Sequence, residues 1–451
     1  MPPIQEYLGL SHLKGNIAIL KIAAAGTGSI HPAAYDEVVT LHQPNSPPRL
    51  GRIIQIENDT AVILVYEGTA GLSLTTTQTR LSGGPMEISL SPEILGRIFD
   101  GIGRPADGLG QILAHERREI SGKPIIPINP THRQYPRNYI HTGISAIDGL
   151  TTLIRGQKLP IFSADGLPHN QLAAQIAAQA SITGTSHPSE KFAVVFAAMG
   201  ISHDTAECFR KSFTESGAGT HTVMFLNLSH HPTAERIATP RFALTAAEYL
   251  AFTLGYHVLT ILTDMTAYAE ALREISSNRG EIPSRKGYPG YMYSDLASIY
   301  ERAGIIKGCP GSLTQIPILT MPSDDITHPI PDLTGYITEG QIVLDRTLHL
   351  QGIYPPINPL PSLSRLMKDG IGEGFTTKAH PHIAKKLFAA YAKVGDARAL
   401  ASVIGESDLS PEDKGLLEFG TQFEQAFLNQ GEYKNRSLAE TLQMGEILCM
   451  K

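Results

Sequence analysis

Cysteine is scarce in this sequence, and long apolar runs and an N-terminal secretion signal are missing. Three cysteines lie far apart in 451 residues, at Cys208, Cys309 and Cys449. Thiols this few and scattered favour a reducing compartment over a disulfide framework. No uncharged apolar run reaches the ~18 residues that span a membrane. The first residues, MPPIQEYLGL, lack the basic region and apolar core of a signal peptide. These features predict a cytoplasmic protein.

Excess positive charge and metal-binding motifs are also missing. The formal net charge is −6, which argues against nucleic acid or an acidic membrane surface as the main partner. The 17 histidines include no H-E-x-x-H motif and no Cys/His pair with ligand spacing, so no metal site is predicted. The apolar content of 42% suits a well-packed globular protein. A chain of this length predicts two or three domains.

The pattern of apolar residues changes twice along the chain. Short strands rich in Val, Ile and Leu fill about the first 75 residues and predict a small barrel or sandwich, with a hairpin turn at Asn58-Asp59-Thr60. Near-continuous apolar strands then alternate with helices up to about residue 350, which indicates a parallel sheet covered on both faces. Beyond Arg365 helical spacing dominates, and Ser410-Pro411-Glu412-Asp413 is typical of a helix start.

One stretch near the middle resembles a phosphate-binding strand–loop–helix unit: KLPIFSADGLPHNQLAAQIAAQA, residues 158–180. Laid over the pattern G-x-x-x-x-G-K-[ST], Ser163 and Pro168 replace the two glycines, His169 replaces the lysine and Asn170 replaces the hydroxyl residue. The residues that hold phosphate in a P-loop are therefore absent from this loop.

Each replacement weakens phosphate binding. Pro168 has no N–H to donate, and His169 is mostly neutral near pH 7 on its ordinary pKa of ~6.5. Asp165 adds a carboxylate where phosphate would lie. Gly166 and the helix N-terminus remain, so the residues predict a nucleotide site that is weak or empty. A plain strand–loop–helix turn is the alternative.

Two strand ends bear on catalysis. Asp264 follows the strand HVLTILTD at the place where P-loop NTPases carry the acid that holds Mg²⁺, but it is equally suited to cap the next helix. Ile201 follows another strand, where an ATP hydrolase needs a carboxylate or amide to orient water. Because Ile201 cannot orient water, the residues predict no ATP turnover by this chain alone.

Six blocks of sequence resemble one family, the non-catalytic B subunit of the vacuolar/archaeal-type rotary ATPase. They are GRIFDGIGRPADG (96–108), HTGISAIDGLTTLIRGQKLPIFSADGLPHNQLAAQIA (141–177), ATPRFALTAAEYLA (238–251), RGEIPSRKGYPGYMYSDLASIYERAG (279–304), THPIPDLTGYITEGQIVL (327–344) and PPINPLPSLSRL (355–366). The B subunits also carry GLPHN and an apolar residue like Ile201. The chain differs at Ala164-Asp165, where the family usually has Gly-Ser.

The resemblance implies a multidomain α/β fold in three parts. These are an N-terminal β-barrel (1–75), a central RecA-like P-loop-type α/β domain with a mainly parallel sheet (76–350), and a C-terminal helical bundle (351–451). It implies a ring in which three such chains alternate with three catalytic A subunits, around central shaft subunits and beside a peripheral stalk. The membrane would be reached only through the assembled complex. ATP or ADP with Mg²⁺ would lie at the interface with the A subunit, and none would be tightly bound by this chain alone.

Arg365, in LPSLSRL, matches the position from which B subunits extend an arginine into the neighbouring A-subunit site. Its guanidinium would stabilise the charge that develops on the γ-phosphate during transfer. From the residues alone, a surface arginine after a proline-rich loop is the alternative.

Two other functions compete with this one. An autonomous ATPase of the same fold, such as a secretion or flagellar export motor, requires a lysine in the loop and a glutamate near Ile201, and neither is present. A small-molecule enzyme with His169 as a base requires a nucleophile and an orienting acid that the sequence does not place beside it.

Overall fold

The computed structural model describes residues 5–22, 33–121, 130–182 and 190–450. Strands and helices are numbered in chain order. The strands in the described residues are β1 Gln5–Leu8, β2 His12–Lys14, β3 Ile17–Lys21, β4 Glu37–His42, β5 Arg49–Glu57, β6 Thr60–Val65, β7 Gln78–Pro85, β8 Glu87–Leu90, β9 Ile98–Asp100, β10 Glu116–Glu119, β11 Arg133–Gln134, β12 Ile161–Ala164, β13 Lys191–Ile201, β14 Thr222–Leu228, β15 Tyr256–Thr263, β16 Gly304–Ile306, β17 Ser312–Met321, β18 Gly340–Leu344 and β19 Ile357–Ser364.

The α-helices in the described residues are fewer, and the longest of them has 25 residues. They are α1 Ser145–Leu150, α2 His169–Gln179, α3 His203–Glu215, α4 Thr233–Glu248, α5 Met265–Arg279, α6 Met292–Tyr300, α7 Pro329–Ile337, α8 Arg346–Leu350, α9 His380–Ile404, α10 Pro411–Gln422 and α11 Leu438–Met450. In the described part of the chain, no helix combines the length and apolar character needed to cross a bilayer.

Seven strands at the N-terminus form one antiparallel sheet, in the order β1-β7-β4-β5-β6-β3-β2. Its β5–β6 hairpin turns at Asn58 and Asp59, with Glu57 opposite Thr60, as the sequence predicts. Asn58 adopts a φ of 49°, a left-handed conformation that asparagine tolerates. The buried faces of these strands share one apolar core, which includes Leu41, Ile53 and Ile63.

The central sheet is mainly parallel, and its longest path runs β19-β18-β12-β17-β15-β13-β14-β9. Strands β18 to β9 along this path are parallel to their neighbours, while the edge strand β19 is antiparallel to β18. Alternate residues of β13 enter two different apolar cores: Val195 lies in one and Phe196 in the other. Helices α4 and α5 pack in the first core and α2 and α3 in the second, so both faces are covered as predicted.

Three helices complete the chain. Helix α9 buries Leu387, Tyr391 and Val394 on one face, and it packs against both α10 and α11. Ser410 caps α10, because its hydroxyl accepts a hydrogen bond from the backbone N–H of Asp413 over 3.1 Å. The predicted helix start at Ser410 is therefore confirmed.

Two strands lie beyond the predicted domain limits but pair with strands that precede those limits. Strand β7 follows residue 75 and pairs with β1 and β4. Strand β19 follows residue 350 and pairs with β18 of the central sheet. The domain limits at 75/76 and 350/351 remain predictions, and the end of β19 places Arg365 beside the central sheet.

Candidate functional site

The loop after β12 closes on itself by backbone hydrogen bonds. The N–H of Leu167 donates to the carbonyl of Ala164 over 3.1 Å, and the N–H of His169 donates to the carbonyl of Leu167 over 2.8 Å. A phosphate loop needs consecutive N–H groups that point at the ligand. Pro168 has no N–H, and the N–H of His169 is already used within the loop. Gly166 adopts a φ of +79° at the exposed tip of the loop, with no atom within 4 Å of a Cβ built there.

His169 offers no fixed positive charge in the place of the P-loop lysine. Its ring Nδ1 lies 3.0 Å from the Oγ of Ser163, which is fully buried. Burial lowers the pKa of His169 below its ordinary value, although the Asp264 carboxylate acts in the opposite direction. The imidazole is therefore neutral near pH 7. Asn170 follows it, half-buried in the first turn of α2.

The carboxylate of Asp264 accepts hydrogen bonds from the start of helix α5 and from strand β17. Its Oδ1 accepts from the N–H of Thr266 over 2.7 Å, which caps α5, and from the N–H of Thr320 over 3.2 Å. Its Oδ2 accepts from the hydroxyl of Thr320 over 2.5 Å. Burial raises the pKa of Asp264, while the hydrogen bonds from Thr320 and Thr266 oppose that shift. Of its two predicted roles, the capping contact is present in this structure.

The register of β12 and β17 brings these groups to one edge of the sheet. Ser163 lies beside Thr320 on the neighbouring strand. Ser163 contacts His169 and Thr320 contacts Asp264, so two hydrogen-bonded polar pairs lie side by side at the carboxyl ends of β12, β17 and β15. The residues predicted for the degenerate nucleotide site thus lie together. Among the described residues, no group of three or more acidic, histidine or cysteine side chains has the geometry to hold a metal ion.

An ion pair that the sequence did not indicate lies against the loop. Arg346 donates to the carbonyl of Asp165 over 2.9 Å and makes two hydrogen bonds to Asp324, of 2.8 and 2.9 Å. These bonds lower the pKa of Asp324. Arg346 follows β18 and Asp324 follows β17, the two strands that flank β12, so their position at strand ends was the available signal. This cation beside the loop is therefore held by a carboxylate and a carbonyl.

Ile201 ends β13 and is buried, with 7% of its surface exposed. The next residue, Ser202, caps α3 by accepting from the N–H of Thr205 over 3.1 Å. Neither residue offers a carboxylate or an amide to orient water, as predicted from the sequence.

Arg365 lies apart from all of these groups. It follows β19 directly, its residue is exposed, and its backbone N–H donates to the carbonyl of Glu339 over 2.9 Å. Within the described ranges its guanidinium has no hydrogen bond or ion pair. The side chain is therefore available to a group outside this chain.

The strand register places Arg365 at the end of the sheet where β12 begins. The loop lies at the other end of the sheet, where β12 finishes. Ile161 of β12 lies beside Ile342, and Gly340 lies opposite Ser364. Arg365 is therefore level with Lys158, before β12 begins, whereas the loop follows the end of β12. At ~3.3 Å per residue the two backbones are about 20 Å apart. Arg365 cannot serve the loop of its own chain.

The family models that match this chain all describe domains of ATP synthases. Three family models match: "ATP synthase alpha/beta family, beta-barrel domain" over residues 25–78, "ATP synthase alpha/beta family, nucleotide-binding domain" over 143–364, and "C-terminal domain of V and A type ATP synthase" over 369–450. These matches confirm the predicted fold class of barrel, α/β domain and C-terminal helical domain.

Similar proteins cover almost the whole chain. "V-type ATP synthase beta chain 2" of Clostridium tetani is 58% identical over 99% of this chain and 95% of its own length. The B subunit of the A-type ATP synthase of Aeropyrum pernix is 54% identical over 99% of this chain and 94% of its own length. A solved structure of the ATP synthase subunit NeqB from Nanoarcheaum equitans is 37% identical, with a TM-score of 0.72 over 92% of this chain and 98% of that one.

Proposed function

Because the chain belongs to the family of V-type and A-type ATP synthase B subunits, we propose that it completes the ATP site of a catalytic A subunit. The group that it supplies is the Arg365 guanidinium, in trans. The chain itself is the non-catalytic partner, and it is inactive in isolation.

The position of Arg365 carries this proposal. The residue is exposed, its side chain has no partner in the described residues, and it is about 20 Å from the loop of its own chain at ~3.3 Å per residue. A guanidinium fork matches the charge that builds on phosphoryl oxygens in the transition state. An arginine supplied in trans typically contributes ~10³ to 10⁵ in rate, which corresponds to about 4 to 7 kcal/mol.

The loop after β12 supports a site of weak or no nucleotide affinity. Pro168 has no N–H, the imidazole of His169 is neutral, and Arg346 is bound to Asp324. ATP or ADP with Mg²⁺ is therefore held mainly by the A subunit at the shared interface. Gly166, His169, Asn170 and Asp264 are the remnant of a second site on this chain.

The assembly follows from the same proposal. Three of these chains alternate with three A subunits around a central shaft and beside a peripheral stalk. The complex couples ATP hydrolysis or synthesis to transport of H⁺ or Na⁺, and only the complex meets the membrane, on its cytoplasmic face. The chain is then a peripheral subunit.

The alternatives find less support. An autonomous ATPase lacks its loop lysine and its water-orienting acid. A hydrolase with Ser163 as nucleophile and His169 as base has the two atoms 3.0 Å apart, but Ser163 is 0% exposed and no substrate can reach its hydroxyl.

The test is reconstitution with the A subunit of the same organism. The isolated chain is expected to show no ATP turnover, and the complex with Arg365→Ala is expected to lose about 10³ to 10⁵ in rate. Arg365→Lys is expected to recover little, because a single ammonium lacks the planar fork. Turnover by the isolated chain, or a normal rate with Arg365→Ala, would contradict the proposal.

A further inference from the structure

The backbone at Arg365 is held by one carbonyl group. The oxygen of Glu339 accepts from the N–H of Arg365 over 2.9 Å and from the side-chain amide of Gln157 over 3.2 Å. Glu339 directly precedes β18, and Arg365 directly follows β19. The position of Glu339 therefore sets where the Arg365 side chain leaves the sheet.

Glu339 is in turn held by a buried lysine. The Nζ of Lys158 lies 2.9 Å from Oε1 of Glu339, and the backbone N–H of Lys158 donates to Oε2 over 2.8 Å. The N–H of Glu339 donates back to the carbonyl of Lys158 over 3.1 Å. Only 5% of the Lys158 side chain is exposed, against 31% for Glu339. Both the main chain and the carboxylate of Glu339 are thus fixed to Lys158.

The same lysine joins Glu339 to a second carboxylate. Its Nζ lies 2.7 Å from Oε1 of Glu301, and Oε2 of Glu301 lies 3.0 Å from Nη2 of Arg133. Two cations and two carboxylates therefore balance within the cluster. The Glu339 carboxylate is therefore paired with Lys158, and among the described residues no ion pair joins it to the Arg365 guanidinium.

We propose that Lys158 is a positioning residue for Arg365, which it holds in place through Glu339. The inference rests on the proposed function of Arg365 in trans. A charged group that acts in a transition state must be held to within ~0.5 Å, and a misplacement of ~1 Å costs about 10²-fold in rate. Burial strengthens the Lys158–Glu339 contact, because the screening by water is weak there.

A second anchor on β19 makes this role testable without loss of the strand. The hydroxyl of Ser364 donates to the carbonyl of Thr152 over 3.0 Å and accepts from the side-chain amide of Gln157 over 3.0 Å. These bonds do not depend on Lys158. A Lys158 variant is therefore expected to shift Arg365 while β19 stays paired.

The experiment measures ATP hydrolysis by the complex reconstituted with A subunits, using Lys158→Met and Glu339→Gln. Each is expected to lower kcat about 10- to 100-fold, with little change in KM, since the A subunit holds the nucleotide. Glu190→Gln is the matched control. Glu190 also pairs with a buried cation, Arg155, at 2.9 Å, and in the described part of the chain its charged partners lie away from β19. Its kcat is expected to be unchanged.

The deciding comparison adds Arg365→Ala to each variant. If Lys158 acts through Arg365, the complex with Lys158→Met and Arg365→Ala is no slower than the complex with Arg365→Ala alone. Additive losses, an unchanged kcat in Lys158→Met and Glu339→Gln, or failure of both variants to assemble would overturn the inference. A normal rate with Arg365→Ala alone would instead overturn the proposed function and the inference with it.

Discussion

The backbone N–H of Arg365 lies 2.9 Å from the carbonyl oxygen of Glu339, where the edge strand β19 ends and β18 begins. This contact fixes the arginine at the sheet edge opposite the phosphate-type loop. The separation keeps the Arg365 guanidinium out of reach of the loop on its own chain. The side chain is therefore available for the contact with an A subunit that is proposed above.

The first prediction concerns the loop. Calorimetry with Mg-ATP at ~1 mM is expected to detect no binding by the isolated chain. This result corresponds to a Kd above ~1 mM, or a binding free energy smaller in magnitude than about 4 kcal/mol. His169→Lys with Asn170→Thr restores the lysine and the hydroxyl but leaves Pro168 without an N–H, so it is expected to change little. Adding Pro168→Gly is expected to tighten binding at least ~10-fold. Micromolar binding by the unaltered chain would contradict this account.

The second prediction concerns the close approach of β18 and β19. Gly340 has a φ of +137°, and a Cβ built there would lie 2.0 Å from the carbonyl oxygen of Leu363. Gly352 is a matched control, because its φ is +75° and nothing lies within 4 Å of its Cβ position. Gly340→Ala is expected to lower the free energy of unfolding by about 1–3 kcal/mol more than Gly352→Ala.

Urea unfolding of the two variants measures this difference. Equal losses of unfolding free energy in the two variants would contradict the prediction. They would show that the positive φ, and not the clash with Leu363, makes alanine unfavourable at position 340. The same variant is expected to slow the reconstituted complex, since Gly340 lies next to Glu339 and opposite Ser364.

The third prediction concerns a buried ion pair in the central domain. Nε and Nη2 of Arg302 each lie 2.7 Å from an oxygen of Glu248, and the two side chains are 1% and 4% exposed. Arg302→Met leaves the Glu248 carboxylate buried without its cation and is expected to lower the free energy of unfolding by about 3–5 kcal/mol. The double variant with Glu248→Leu is expected to recover most of that loss. A single variant as stable as the parent chain would contradict the prediction.

The fourth prediction concerns pH and His380, which is 0% exposed at the start of α9. Burial lowers the pKa of His380, although its hydrogen bond to the carbonyl of Gly149 acts in the opposite direction. The unfolded chain then binds more protons below the ordinary histidine pKa of ~6.5. The free energy of unfolding is therefore expected to fall as the pH drops below that value, at up to ~1.4 kcal/mol per unit from this residue.

Urea midpoints at about pH 7.5 and 5.5, on either side of the ordinary histidine pKa, test this dependence. His380→Gln is expected to lose less stability on acidification than the parent chain, and the exposed His382→Gln should behave like the parent. The same loss in His380→Gln as in the parent chain would show that His380 is not the group responsible.

Local patterns in the sequence predicted much of this fold. The hairpin at Asn58, the cap at Ser410 and the apolar strands of the central sheet follow from turn chemistry, capping and near-continuous burial, which neighbouring residues encode. Strand β19 was harder to predict, because its prolines suggest a loop. They are tolerated since β19 lies at a sheet edge, where a backbone N–H is dispensable.

The candidate site also has parts that the sequence predicted and parts that it did not. The altered loop at Pro168 and His169 was visible as a motif. The pairs Arg346–Asp324 and Lys158–Glu339 were not, because each joins residues that the chain order separates widely and only the strand order brings together. The role of Arg365 remains a prediction, since one chain does not contain the site that this residue is proposed to complete.

The most direct measurement is a structure of the complex with A subunits in the presence of a Mg-bound ATP analogue. The distance to determine joins the guanidinium nitrogens of Arg365 to the terminal phosphate oxygens held by the neighbouring A subunit. The account predicts about 3 Å in at least one closed interface. A separation beyond ~6 Å in every interface, twice the reach of a hydrogen bond, would contradict it.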